Sequence, residues 1–67
     1  MATIEQLREK TGKSRARVAV DLNISERHLS RLEAGTSPLR FVLALALASY
    51  YGCPVDDIDG VKREEVD

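Results

Sequence analysis

Sixty-seven residues, 43% of them apolar and with a formal net charge of −1, make one small domain whose core is near the minimum for folding alone. A single cysteine (Cys53) and a single histidine (His28) exclude an internal disulfide and a four-ligand zinc site, so no metal or other cofactor is expected. No glycine-rich phosphate loop or nucleophile–base constellation is present either, so an enzyme is not expected.

The elements follow from the punctuation of the chain. Thr3-Ile4-Glu5-Gln6 matches a capping box, with Thr3 as N-cap and Gln6 reaching back to it. It opens a first helix that carries Ile4 and Leu7 on one face and stops at Gly12. Ser14 caps a second helix, Arg15 to Leu22, with Val18, Ala19 and Leu22 inward, and Asn23 suits a left-handed exit. Ser25 caps a third helix, Glu26 to Ala34. Its inner stripe is Leu29 and Leu32, and Gly35 ends it. Thr36-Ser37-Pro38 reads as a loop, because proline disfavours helix in the residue before it. A fourth helix is expected from about Arg40 to Tyr51, ending at Gly52. Pro54 then introduces a short fifth, Val55 to about Asp59, with Asp56 and Asp57 in its first turn. The expected fold is therefore all-α with five helices. The domain is set at residues 1–59, and residues 60–67 read as a short polar tail that frays.

No basic stretch followed by an apolar run opens the chain, so no secretory signal is expected. Phe41 to Ala48, the longest apolar run, is far short of the ~20 residues that span a bilayer, so no membrane partner is expected. A bacterial-type cytoplasm is the expected setting. The charge is unevenly placed. Arg8 to Arg40 hold eight basic and four acidic side chains, a net of +4, whereas residues 41–67 hold two basic and six acidic, a net of −4. Such a dipolar chain has a side suited to a polyanion.

Residues 14–35 carry the most information. Two helices of eight or nine residues joined by Asn23, Ile24 and Ser25 favour the steep crossing of a helix-turn-helix. With Leu29 and Leu32 inward, the third helix presents Glu26, Arg27, His28, Ser30 and Arg31. Arg27 and Arg31 lie one turn apart on one face, and arginine forks onto the O6/N7 edge of guanine. A solvated helix face is the plainer reading of the same residues.

Residues 4–58 resemble the Xre family of helix-turn-helix domains, the type of phage lambda repressor and Cro. The resemblance runs through Leu7-Arg8, Lys13-Ser14, Val18 to Ser25, His28 to Gly35 and Tyr51 to Ile58. It implies a five-helix DNA-binding fold and a regulator of transcription on double-stranded DNA, of the phage repressor/Cro or restriction–modification controller type. Arg27 and Arg31 would read bases, with Glu26 and His28 as secondary readers. Ser14, Arg15, Ser25, Ser30, Thr36, Ser37 and Arg40 would hold phosphates, Thr36 and Ser37 through available backbone amides. Arg15 stands where many phage members place a glutamine that bridges phosphate and reading helix, and arginine can grip phosphate bidentately there. The resemblance also pairs Arg8 with Glu33, which makes Glu33 structural. Cys53 matches a position that relatives fill with valine, hence a small core residue.

Helix four is apolar on every side. If Phe41, Leu45, Ala48 and Tyr51 form its buried stripe, with Leu47 or Ala44 at its edge, Val42, Leu43, Ala46 and Tyr50 are left over, and a surplus apolar face marks an interface. A homodimer on an inverted repeat is the expected arrangement, a flat alanine-rich surface the alternative. Two rival functions share the fold: an antitoxin that binds DNA and neutralises a toxin, and a protein-interaction module without DNA binding.

Overall fold

A computed structural model of the chain describes residues 2–62. Four helices carry the fold: α1 (Ile4–Thr11), α2 (Arg15–Leu22), α3 (Glu26–Ala34) and α4 (Phe41–Tyr51). The first three start on hydroxyl caps. Thr3 accepts from the Gln6 amide while Gln6 returns a bond to the Thr3 amide, Ser14 accepts from Arg17 and Ser25 from His28. Each cap satisfies an amide that the first helical turn would otherwise leave unpaired. α4 has no such cap. It begins at Phe41, and its N-cap residue, Arg40, is the second residue of a two-residue strand.

The core is Ile4 of α1, Val18 and Ala19 of α2, Leu29 and Leu32 of α3, and Ala44, Leu47 and Ala48 of α4, closed by Leu39 and Ile58. Leu29 has no solvent exposure and lies among the largest wholly buried side chains. Truncating such a residue to alanine costs about 2–5 kcal/mol, a large share of a small domain's stability.

The fold is all-α, but the expected fifth helix is a single 3₁₀ turn, Val55–Asp57. At Ile58 the chain leaves helical geometry (φ −91°, ψ 124°), and its side chain is buried. The extended segment is tied to the start of the chain, where Ala2 N donates to Asp57 O (2.9 Å) and Asp59 N to Ala2 O (2.8 Å). Burying Ile58 and pairing these backbone groups outweighs another turn of helix. Beyond it, β2 (Val61–Lys62) pairs in parallel with β1 (Leu39–Arg40), in the register Leu39↔Val61 and Arg40↔Lys62. The chain thus stays attached to the body three residues into the segment expected as a tail, as far as Lys62. Residues 63–67 of that segment lie outside the described residues.

α4 is also rotated from the expected phase: Ala48 is inward as expected, but the edge positions Ala44 and Leu47 take the centre of the stripe. Its buried stripe is Ala44, Leu47 and Ala48, with Leu43, Tyr50 and Tyr51 packed partly against the core. Leu45, placed inward from the sequence, is exposed, and Val42 and Ala46 are exposed with it. The two buried alanines leave room for the neighbouring elements to approach the helix closely. Among the described residues, no helix is long and apolar enough to cross a membrane.

Candidate nucleic-acid interface

The corner between α2 and α3 is fixed by its backbone. Asn23 takes the left-handed conformation at φ 60°, where Asn23 N donates to Val20 O (3.1 Å) and Ile24 N to Ala19 O (3.0 Å). This pair of bonds satisfies the last carbonyls of α2 while turning the chain sharply. Ile24 packs partly against the core and anchors the corner, and Ser25 starts α3 one residue later. With Leu29 and Leu32 buried, Glu26, Arg27, His28, Ser30 and Arg31 are all exposed. Arg15 joins Glu26, Arg27, Ser30 and Arg31 in lining a shallow concavity of about 530 Å³.

The arginines divide into two groups. Arg8 and Arg15 converge on Glu33, whose side chain is 3% exposed. Arg8 meets it bidentately, Nε to Oε2 at 2.7 Å and Nη2 to Oε1 at 3.3 Å, and also donates to Lys13 O. Arg15 reaches Oε1 through Nε at 2.8 Å. Burial would raise the Glu33 carboxyl above its usual range, but the hydrogen bonds from Arg8 and Arg15, with their charges, hold it below that range. The Glu33 hydrogen bond in turn raises the Arg8 guanidinium. Arg17 pairs with Asp21 along α2 at 3.2 Å. The Asp21 carboxyl is lowered, first by a hydrogen bond from the Tyr50 hydroxyl and then by Arg17, and Lys13 donates to that same hydroxyl at 3.0 Å. These two networks tie α1, α2, α3 and α4 together. By contrast, the side chains of Arg27, His28 and Arg31 take no hydrogen bond or ion pair among the described residues. Their donors face solvent.

The expected phosphate holders fall into different situations. Ser14 and Ser25 spend one hydroxyl lone pair on helix capping and keep an O–H to donate. Ser30 lies on the exposed face beside Arg31, and Arg40 is exposed at the start of α4. The Thr36–Ser37 loop has no amides to spare. Thr36 N (3.0 Å), Ser37 N (3.3 Å) and Thr36 Oγ1 (3.3 Å) all donate to Arg31 O, and Gly35, at φ 82°, closes α3 by donating to Leu32 O. The helix end consumes those donors in satisfying its own carbonyls. Among the residues expected at a dimer contact, Val42 and Ala46 face solvent, while Leu43 and Tyr50 are half-buried against their own core. Sequence reasoning missed that Arg15 is held by Glu33. The signal was at hand, since the resemblance places a side chain that touches the reading helix at that position. The Lys13–Tyr50–Asp21 network joins distant segments and leaves no mark in local sequence.

Two short helices crossing at a tight, core-anchored corner, the second with a polar outer face, define a helix-turn-helix unit. A family model described as a helix-turn-helix domain matches residues 2–61, and the chain belongs to that family. No curated protein and no solved structure matches the chain. A helix-turn-helix domain points to DNA binding, with the second helix of the unit in the major groove.

Proposed function

We propose that this chain is a sequence-specific regulator of transcription, of the Xre type to which lambda repressor and Cro belong, acting in the cytoplasm of a bacterium or from a phage genome. One observation carries the reading. On the exposed face of α3, Arg27 and Arg31 stand one turn apart and unpartnered among the described residues, while Arg8, Arg15 and Arg17 are paired. A guanidinium bound in a salt bridge has little to offer a base edge, and an unpaired one on a helix sized for the major groove has five donors to offer. Arg8–Glu33, the pair that the Xre resemblance implies, supports the finer assignment.

In this reading α3 lies in the major groove with Arg27 and Arg31 on base edges and Glu26 and His28 beside them. Arg15 holds a phosphate with the terminal nitrogens that Glu33 leaves unused, and Ser14, Ser25, Ser30 and Arg40 supply further backbone contacts. Thr36 and Ser37 are left with the Ser37 hydroxyl as their donor. The protein acts as a homodimer on an inverted repeat, paired through the outer side of α4. Val42 there is 79% exposed and Ala46 and Leu45 lie beside it, with Leu43 and Tyr50 at the margin. Two linked half-sites give the discrimination that one short helix cannot.

The test is selection of bound duplexes from random DNA at near-physiological salt, beside an Arg27→Ala, Arg31→Ala double variant. The native chain is expected to enrich an inverted repeat and the variant to enrich nothing. Enrichment of nothing by either chain removes the DNA reading and leaves the apolar side of α4 as the surface to pursue. Sedimentation at micromolar concentration tests the pairing: a species of twice 7.4 kDa is expected, and a clean monomer contradicts it.

A further inference from the structure

We infer that each half-site is recognised through two G·C pairs no more than about two base-pair steps apart, with Arg27 and Arg31 each reading a guanine. This rests on the DNA reading proposed above and names the sequence class that the same face selects. Adenine is read bidentately through N6 and N7 by asparagine or glutamine, because only an amide offers an acceptor and a donor side by side. The whole chain has two such side chains, Gln6 and Asn23. Gln6 is committed to the capping box of α1, with Oε1 on the Thr3 amide at 3.0 Å. Asn23 occupies the left-handed corner before α3, outside its presented face. No adenine reader therefore stands on α3.

The residues that do stand there select the other base pair. The guanidinium forks of Arg27 and Arg31 match the two acceptors of guanine, and Glu26 offers oxygens to the cytosine N4 amino group. Ser30, between them, bonds either pair and does not discriminate. Positions 27 and 31 are separated by four residues, about 6 Å along the helix axis. Base pairs stack about 3.4 Å apart, so both guanines fall within about two steps.

The experiment repeats the selection with the full chain and with Arg27→Ala, Arg31→Ala and Arg27→Gln separately. Neither arginine has a side-chain partner among the described residues, so the variants keep the native melting temperature and a lost preference reports a lost contact. The native chain is expected to enrich two guanines per half-site. Each alanine variant loses the preference at one of them, with discrimination there falling about 5- to 150-fold. Arg27→Gln is expected to turn the guanine at its position into adenine. A·T pairs at the enriched positions, or guanines that persist in both alanine variants, overturn the inference while DNA binding stands. Absence of any enriched sequence overturns the DNA reading and the inference together.

Discussion

Replacing Glu33 by alanine removes the carboxylate on which Arg8 and Arg15 converge. Glu33 is almost wholly buried and Arg8 is 12% exposed, so the loss strands a guanidinium where water reaches it poorly. Breaking one side of a buried pair costs about 3–5 kcal/mol. The Arg15 contact adds little, since that side chain is 43% exposed and solvent screens the pair. The lower end of the range, about 3 kcal/mol, applies because Arg8 keeps its bond to Lys13 O. For a domain of this size it is about three tenths or more of a total of about 3–10 kcal/mol. The corresponding fall in melting temperature is roughly 12–24 °C. Urea unfolding followed by far-ultraviolet circular dichroism, with the m-value fixed by the native chain, measures it. A loss below about 1 kcal/mol refutes the claim that the Arg8–Glu33–Arg15 junction fastens α1, α2 and α3.

The same carboxylate sets an acid limb to stability. Its pKa is lowered in the folded chain from an ordinary 4.5, so its contribution is complete above about that pH and is lost as pH falls through the lower folded value. Unfolding curves from pH 6 to pH 3 are expected to steepen for the native chain and to flatten for Glu33→Gln; parallel curves contradict this. At the alkaline end, burial of the Tyr51 hydroxyl, which has no hydrogen-bond partner among the described residues, pushes its pKa up to about 12. The neutral form is favoured in the folded chain, so stability is full below pH 10 and falls as pH rises toward 12. Tyr51→Phe removes the unsatisfied group and is expected to stabilise by up to about 1 kcal/mol at pH 7, while abolishing that alkaline loss. A destabilised phenylalanine variant shows instead that the hydroxyl has a partner.

The helix-turn-helix was legible because its boundaries are local chemistry. Thr3, Ser14 and Ser25 cap, Asn23 and Gly35 take left-handed angles, and all five can be recognised from their immediate neighbours. The outward face of α3 followed once Leu29 and Leu32 were placed inward. α4 was legible as a helix but not in its phase, since residues that are apolar on every side define no stripe. Its rotation is settled by the small side chains Ala44 and Ala48 packing against other elements. The pairing of Leu39–Arg40 with Val61–Lys62 is two residues long and joins distant segments, so no periodicity announces it. Ile58 drew the chain out of a helix that Pro54, Asp56 and Asp57 alone would have begun. The resemblance supplied Arg8–Glu33, and the third member, Arg15, needed coordinates.

The central claim is that the outer face of α3 is the surface that meets DNA. Titration of the ¹⁵N-labelled chain with a short duplex, followed by amide shifts, tests it residue by residue without requiring the preferred sequence. The largest shifts are expected at Ser25 to Arg31, with Ser14 and Arg15 next and the outer side of α4 little changed. Shifts centred on Val42, Leu45 and Ala46, or none anywhere in the chain, contradict it.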